Sequence, residues 1–491
     1  MRYVGWLAGT LAVLALAACG PKVPPNVFLI VIDTLRADRV GWYGDQRGLT
    51  PFLDSLAEGG AVFWNAYAQS SWTMPSVATI FTSRYASEHN VIHMVKPSVL
   101  GIEERTLAES FKQHGYLTAG FSGTILVSAA LGFANGFDQF SLVRPGDITT
   151  HLVKGRAEEL DRACLAWVAQ ARKQHPGTPI FVYLHYMEPH TPYNPPPALL
   201  DRLVRARPHP EQRPQWIARA QGGVMNIFAG GLNLLDTDAL SGLQDLYDAE
   251  VASLDLQLTD LFGRLRKQGL LANAVVVITA DHGEEFREHG RVGHGVSLYN
   301  ELTHVPLLLL TPNSHSRADI HDVVSHVDIA PTLLDYAGIA APPTFEGRSL
   351  RGLVRGRHGL WRLLTPLQEL FASPRRSEQA SYSELFPLNA DTPEEPDHHR
   401  RAVIVGDRKL IVHADGKEES FDLATNPHES PAAPLAESEA SALRAAADRF
   451  STRLAHKRAP EQTRPLDAET RERMRALGYL NPHFPDERVR R

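Results

Sequence analysis

The clearest pattern along the chain is a series of short apolar runs that end in charged or polar residues. Such runs lie at 26–32, 179–185, 274–279 and 305–310. Runs of this length without a polar face are typical of strands buried on both sides of a parallel sheet. The segments 51–59, 106–114 and 157–173 lie between these runs and predict helices. Strands that alternate with helices indicate an α/β fold, with a large mostly parallel sheet sandwiched by helices.

The last third of the chain has a different pattern. Segments 401–412 and 418–422 read as strands of a small sheet, and 435–456 and 468–477 read as helices. We therefore predict a main domain over 26–350 with an insertion at about 195–241, a helical and loop linker over 351–400, a small C-terminal α+β subdomain over 401–480 and a polar tail over 481–491. A length of 491 residues suits this division.

The first residues do not read as part of the fold. A short apolar run after Arg2 is too brief to span a bilayer and ends in Leu16-Ala17-Ala18-Cys19-Gly20, which resembles a bacterial lipobox. The resemblance implies a signal peptide over 1–18, lipidation of Cys19, a tether over 19–25 and a lipid-anchored protein of the bacterial envelope. The second of the 2 cysteines, Cys164, lies in a predicted amphipathic helix and is expected to be a buried structural thiol.

Amino-acid composition gives less information about the function than the motifs do. A hydrophobic fraction of 43% and a charged fraction of 22% are ordinary for a globular protein. The formal net charge of -6 gives no sign of a nucleic-acid partner.

Candidate chemistry gathers at the predicted strand ends. Asp33 follows the first run, His185 ends the run at 179–185 and is soon followed by His190, and Asp281 and His282 come shortly after the run at 274–279. In open α/β sheets, ligands bind at the carboxyl ends of the strands, so these side chains are expected to converge. The alternative for Asp33 and Asp281 is that each merely caps a helix after a strand.

A further segment, Ser71-Trp72-Thr73-Met74-Pro75-Ser76-Val77, resembles the active-site signature of the sulfatases. That signature begins with Cys or Ser, followed by any residue, Pro, Ser and Arg, and its first residue is oxidised to formylglycine. Here Thr73 and Val77 hold the first and fifth positions, so the resemblance implies an unmodified hydroxyl nucleophile. Taken alone, Thr73 before Pro75 also fits a helix N-cap.

The same resemblance implies a metal centre. Asp33, Thr73, Asp281 and His282 match the ligands of one divalent cation in the sulfatase and alkaline phosphatase superfamily. This chain has Thr34 where calcium sulfatases have a second aspartate, and His282 where they have asparagine. Fewer carboxylates and an imidazole favour Mn²⁺ or Zn²⁺, with Ca²⁺ still possible. The set is similar to that of threonine-using phosphotransferases such as lipoteichoic acid synthases.

Two histidines match the family's substrate-contacting positions. His190 lies in the Pro189-His190-Thr191-Pro192-Tyr193 motif, and His294 lies in Gly293-His294-Gly295. Both would contact the ester's anionic oxygens or protonate the leaving group. His89, His185 and His289 stay unassigned among the 22 histidines, and Lys96 reads as a solvated lysine.

Three functions remain open at this point. The first is a metal-dependent phosphoesterase or phosphotransferase that uses Thr73. The second is a sulfate ester hydrolase without formylglycine, and the third is a degenerate relative that only binds glycans or lipids. The expected partner is a small-molecule, lipid head-group or glycan ester, with Trp72, Tyr193 and the insertion near its pocket.

Overall fold

A computed structural model describes residues 23–94, 97–143, 155–227, 236–312, 314–355, 380–386, 399–431 and 434–457, together with 462, 463, 468 and 471. Predictions for Cys19, for Lys96, and for most of the 351–400 linker and of the residues after 457 lie outside this part of the chain. Within it, no helix is both long enough and apolar enough to cross a membrane.

An eight-stranded sheet forms the centre of the main domain. Its strands are β1 (Asn26–Ile32), β2 (Ala61–Tyr67), β3 (Leu117–Ser122), β4 (Gln139–Leu142), β5 (Ile180–Tyr186), β6 (Ala274–Ala280), β9 (Leu307–Leu310) and β10 (Ala318–Ser325). Their spatial order across the sheet is β10-β2-β9-β6-β1-β5-β3-β4. All neighbours are parallel except that β9 runs antiparallel to β2 and β6. This arrangement confirms the predicted mostly parallel α/β fold. A two-stranded ribbon, β7 (Glu285–Phe286) with β8 (Val292–Gly293), follows β6.

Helices cover the sheet. The α-helices of the described residues are α1 (Pro51–Ala57), α2 (Thr73–Thr82), α3 (Ala86–His89), α4 (Leu107–Gln113), α5 (Ala157–Gln174), α6 (Pro197–Arg205), α7 (Arg213–Ile227), α8 (Thr237–Lys267), α9 (Asn300–Thr303), α10 (Ile329–Ala337), α11 (Arg351–Arg355) and α12 (Glu437–Ala455). Cys164 is buried within α5, as predicted. The described part of the predicted insertion contains the helices α6 and α7.

The register of the central strands positions the functional residues. Ile32 at the end of β1 pairs with Tyr186 of β5 on one side and with Ala280 of β6 on the other. Three buried parallel strands therefore end at the same level. The residues that follow them meet at one edge of the sheet, as strand ends do in open α/β folds.

A small antiparallel sheet lies at the C-terminal end, in the order β11 (Ala380–Leu385), β12 (Arg400–Val405), β13 (Arg408–Val412) and β14 (Glu418–Asp422). Two predictions need correction here. Segment 401–412 is a hairpin rather than one run, because the chain turns at Gly406, whose φ of 58° is in the left-handed region. Residues 380–385 pair with β12 and belong to this sheet rather than to the linker, since pairing with a distant strand is invisible in local patterning.

Candidate active site

Asp33 and Asp281 lie at the ends of the adjacent strands β1 and β6 and are fully buried. The chain turns sharply after Asp33, where Thr34 has a φ of 59°. Its amide then donates a hydrogen bond of 3.3 Å to Oδ1 of Asp281, which also accepts the His282 amide at 2.8 Å. Both aspartates thus serve a shared centre rather than the separate helix caps that the sequence left open.

The His282 ring has a defined tautomer in this setting. Nδ1 donates to the carbonyl of Gly283 at 2.9 Å. Burial, reinforced by neighbouring His294, keeps the pKa of His282 well below its ordinary value. The ring is therefore neutral, and the lone pair on Nε2 faces the two aspartates, as a metal-ligating histidine requires.

Thr73 is the first residue of α2 and is fully buried. The helix is capped by Trp72, which gives no side-chain hydrogen bond, so the N-cap interpretation of Thr73 is wrong. The Thr73 hydroxyl instead lies 3.3 Å from Nε2 of His282. A backbone hydrogen bond also links the residues before α2 to those after β8, since the amide of Gly295 donates to the carbonyl of Ser71 at 2.8 Å.

The four residues fit a divalent cation. Nε2 of His282 lies 3.7 Å from an oxygen of Asp33, 3.6 Å from one of Asp281 and 3.3 Å from the Thr73 hydroxyl. Ligand atoms about 2.0–2.1 Å from a tetrahedral cation are about 3.4 Å apart, which is close to this spacing. Oδ2 of Asp281 has no hydrogen-bond partner among the described residues.

Charge in this centre also favours a cation. Burial and the adjacent Asp33 carboxylate raise the pKa of Asp281 to about 8. Two buried carboxylates this close resist joint ionisation unless a positive charge compensates for them. The acidic pair is therefore suited to hold a metal ion.

His185, which the sequence analysis left unassigned, contacts the Asp33 carboxylate. Its Nε2 lies 3.2 Å from Oδ2 of Asp33, and its Nδ1 lies 2.7 Å from the Tyr183 hydroxyl. Burial lowers the pKa of His185 to about 4, so the ring is neutral. Because the tyrosine hydroxyl donates to Nδ1, Nε2 carries the proton and donates to Asp33. An imidazole behind a ligating carboxylate orients it.

His190 and His294 lie next to the centre. The ring centroids are 4.6 Å apart for His282 and His294 and 5.0 Å apart for His190 and His294. Nδ1 of His190 donates to the carbonyl of Thr191. The structure thus brings both predicted histidines close to His282.

Glu284 determines the state of His294, and the sequence analysis missed this role. Its Oε1 lies 2.9 Å from Nδ1 of His294. Burial opposes the charged form of His294, but the Glu284 carboxylate outweighs it and raises the pKa. The sequence does show an acidic residue, Glu284, two places after His282. Its position in the sequence does not indicate that its partner is His294.

Arg36 is a second residue that the sequence analysis missed. Its buried guanidinium donates to the Glu284 carbonyl at 2.9 Å and to Glu288 at 2.6 Å, and it pairs with Asp38 at 2.7 Å. Arg36 therefore ties the loop after β1 to the loop after β6.

Two of the residues predicted near the substrate pocket, Trp72 and Tyr193, are buried. Trp72 is 2% exposed and Tyr193 is 7% exposed. Trp72 packs in the hydrophobic core directly before α2.

Comparison with known proteins gives the family. The Sulfatase family model matches residues 25–339. The Arylsulfatase of Clostridium perfringens is 25% identical over 390 residues, which cover 69% of this chain and 80% of that protein.

Solved structures show the same fold. BT4656 in complex with its substrate D-glucosamine-2-N,6-O-disulfate has a TM-score of 0.68 at 19% identity, covering 88% of this chain and 98% of that one. The phosphonate monoester hydrolase of Agrobacterium radiobacter has a TM-score of 0.67 at 19% identity, covering 88% and 96%. The chain therefore belongs to the sulfatase family and is an ester hydrolase of the sulfatase and alkaline phosphatase superfamily.

Proposed function

We propose that this protein cleaves or transfers phosphate or phosphonate esters, with Thr73 as the nucleophile. The observation that carries the proposal is the Thr73 hydroxyl, 3.3 Å from His282 in the buried centre with Asp33 and Asp281. A threonine at this position has no route to formylglycine. A phosphonate monoester hydrolase shares the fold, which makes phosphorus esters compatible with this architecture.

One divalent cation, with Mn²⁺ or Zn²⁺ favoured by the three oxygens and one imidazole, would be held by Asp33, Thr73, Asp281 and His282. When bound, it supplies charge that lowers the pKa of the hydroxyl and offsets negative charge on the ester oxygens. The position of Thr73 at the N-terminus of α2 favours a bound anion as well.

The residues of the chain account for the proton and bond changes. Oγ1 of Thr73 attacks phosphorus and loses its proton to solvent, while the bond from phosphorus to the leaving oxygen breaks. His294 is held at Nδ1 by Glu284, so its Nε2 proton is the one available to the leaving oxygen. Water or an acceptor alcohol then attacks phosphorus and gives its proton to His294, the bond from phosphorus to Oγ1 breaks, and Thr73 regains a proton from solvent.

Sulfate ester hydrolysis is the second candidate, because the curated relative from Clostridium perfringens is an arylsulfatase. Chemistry disfavours it, since a plain alkoxide leaves a stable sulfate ester on the enzyme, whereas a formylglycine hydrate eliminates sulfate. The third possibility, a degenerate binding protein, has no need of four ligating residues in one buried cluster.

Intact mass spectrometry tests the proposal. The protein that begins after Cys19 is incubated with Mn²⁺ and a p-nitrophenyl phosphodiester or phosphonate ester, beside its Thr73→Ala variant. We expect a phosphoryl or phosphonyl adduct that maps to Thr73 and is absent from the variant. Turnover of a matched p-nitrophenyl sulfate, with neither an adduct nor turnover of the phosphorus esters, would refute the proposal.

We also propose that Cys19, which lies outside the described residues, carries a lipid and anchors the protein at the bacterial envelope. Support comes from the lipobox-like Leu16-Ala17-Ala18-Cys19-Gly20. The full-length protein is expected to partition into detergent in a Triton X-114 phase separation, and Cys19→Ala should move it to the aqueous phase. Aqueous partitioning of both forms would contradict the anchor.

A further inference from the structure

Four buried or nearly buried charged side chains meet where the small C-terminal sheet contacts the main domain. Lys409 lies in β13 and Glu429 follows β14, whereas Glu301 lies in α9 and His289 lies between β7 and β8. Nζ of Lys409 is 2.7 Å from Oε1 of Glu429, and both side chains are completely buried. Nε2 of His289 is 3.3 Å from Oε2 of Glu301. We call these four residues the junction cluster.

Each carboxylate of the junction cluster faces a nitrogen atom of the cluster. Ligand atoms of His289, Glu301 and Glu429 lie within 4.8 Å of one another, which is a spacing that could hold a cation. The ammonium of Lys409 already contacts Glu429, however. Burial opposes the charged form of His289, but the hydrogen bond and the charge of Glu301, together with the charges of Glu429 and Glu285, raise its pKa. Each carboxylate of the cluster thus has a nitrogen partner inside it, and these contacts connect the small sheet to the main domain.

Asn300, the first residue of α9, fastens that helix to the small sheet. Its Oδ1 accepts from Nζ of Lys409 at 2.9 Å, and its Nδ2 donates to the carbonyl of Pro427 at 3.2 Å. Its amide donates to Oε2 of Glu429. Three hydrogen bonds therefore fix the N-terminal end of α9 to the C-terminal subdomain.

The same helix touches the metal-binding loop. The Gly283 amide donates to the carbonyl of Leu302 at 2.9 Å. A Cβ at Gly283 would lie 1.9 Å from the Glu301 carbonyl oxygen, so only glycine permits this approach. The carbonyl of Gly283 in turn accepts from Nδ1 of His282. Movement of α9 would therefore shift the ring of His282.

His289 forms a second connection between the small sheet and the residues near the active site. Its ring stacks on Tyr299 with centroids 3.6 Å apart and planes at 14°. The Tyr299 hydroxyl donates to Glu419 of the small sheet at 2.8 Å. His289 and His294 belong to the same segment between β6 and α9, so Tyr299 and its contact with Glu419 connect this segment to the small sheet.

We propose that Lys409 and Glu429 are positioning residues: from the small sheet they hold α9 and His289, and thereby the loop that carries His282 and His294. The catalytic part of this inference rests on the proposed function, whereas the mechanical part does not. Neither residue touches the reacting atoms.

The test uses the double variant Lys409→Met/Glu429→Gln of the full chain. It removes one charge of each sign and leaves His289 balanced by Glu301, so no buried charge is stranded. The matched control is Arg444→Met/Glu418→Gln, an ion pair of 2.7 Å within the same subdomain that is partly exposed and is not part of the junction cluster. Asn300→Ala is a milder second variant, which keeps the Lys409 and Glu429 pair intact.

Two readouts separate positioning from simple stabilisation. Hydrogen exchange at amides 283–301 should accelerate at least about tenfold in the double variant and in the same direction in Asn300→Ala, while the control stays at the wild-type rate. With a p-nitrophenyl phosphodiester, kcat should fall about 10- to 100-fold, since small misplacements of reacting groups have this effect, whereas KM should change by less than about threefold.

The outcomes are decisive in both directions. Wild-type exchange over 283–301 in both the double variant and Asn300→Ala, even with a lower Tm, would overturn the proposal. Faster exchange with unchanged kcat would overturn the catalytic part. If no form of the protein turns over any phosphorus ester, the proposed function fails, and the exchange data alone still decide whether the junction cluster holds the loop.

Discussion

The hydroxyl oxygen of Thr73 lies 3.3 Å from Nε2 of His282, although 209 residues separate them in the chain. Local structure does not explain this contact, because Thr73 begins α2 whereas His282 follows β6. Their contact places the proposed nucleophile and the proposed imidazole ligand next to each other, beside two buried carboxylates. The predictions for Thr73, Asp281 and Glu284 below depend on this arrangement.

Replacing Thr73 should separate nucleophilic catalysis from folding. Thr73→Ala should lower kcat for a p-nitrophenyl phosphodiester at least about 10³-fold, because no other described hydroxyl occupies its place beside His282. Thr73→Ser should keep measurable turnover. The control is Thr82→Ala in the same helix, since the Thr82 hydroxyl bonds only to the Ala78 carbonyl. Equal activity in Thr73→Ala and wild type, measured by steady-state kinetics, would exclude Thr73 as the nucleophile.

Asp281 should be required for metal binding. Elemental analysis of the purified wild type should find close to one divalent ion per chain, and Asp281→Asn should weaken metal affinity at least about tenfold because it removes a ligating charge. Asp255→Asn is the control, since Asp255 is equally buried but accepts the amides of Phe52 and Leu53.

Chelation gives a separate measure of the same centre. Removal of the metal from the wild type should lower the free energy of unfolding by about 3 kcal/mol if the metal is present at about 100 times its Kd. A wild type that binds no metal and is unchanged by chelator would refute the centre.

Glu284→Gln should impair leaving-group protonation by His294. Because the neutral amide no longer favours the imidazolium, kcat/KM for an alkyl phosphodiester should fall about 100-fold. An ester with a p-nitrophenoxide leaving group needs little protonation and should lose less than about tenfold. Equal losses with the two esters, measured under the same conditions, would show that Glu284 has no part in acid catalysis.

Asp161 predicts a pH dependence of stability. Burial raises the pKa of its carboxyl to about 7; the Tyr186 hydroxyl that donates to it acts in the opposite direction, and Glu188 adds to the rise. The unfolded value is about 3.9, so between about pH 4 and 7 the folded state holds a proton that the unfolded state releases. Stability should therefore decrease as pH rises through this window.

The Asp161→Asn variant should show a flatter profile in urea unfolding between pH 5 and 8, by about 1–4 kcal/mol across the range. Asp415→Asn is the control, because Asp415 is exposed in the turn between β13 and β14, where it accepts a hydrogen bond from the Lys417 amide at 2.8 Å. Profiles of equal slope in the wild type and Asp161→Asn would contradict the assignment.

The apolar runs determined much of the fold in advance. β1 was predicted with its observed bounds, and β5 and β6 within one residue, because a strand buried on both faces needs an unbroken apolar sequence. Errors occurred where pairing is non-local. The strand β11 was missed because its identity depends on its partner β12, which lies 15 or more residues away.

The composition of the site was likewise determined by the sequence, since Asp33, Thr73, Asp281 and His282 are recognisable by their motifs and by their positions after strands. Only the tertiary structure decided their partners. The contacts of His185 with Asp33, of Glu284 with His294 and of Lys409 with Glu429 and Asn300 follow from strand register and from the way the small sheet packs on the main domain. The physical reason is range: polarity and periodicity act along a few residues, whereas hydrogen bonds and ion pairs form between whatever side chains the packed chain brings together.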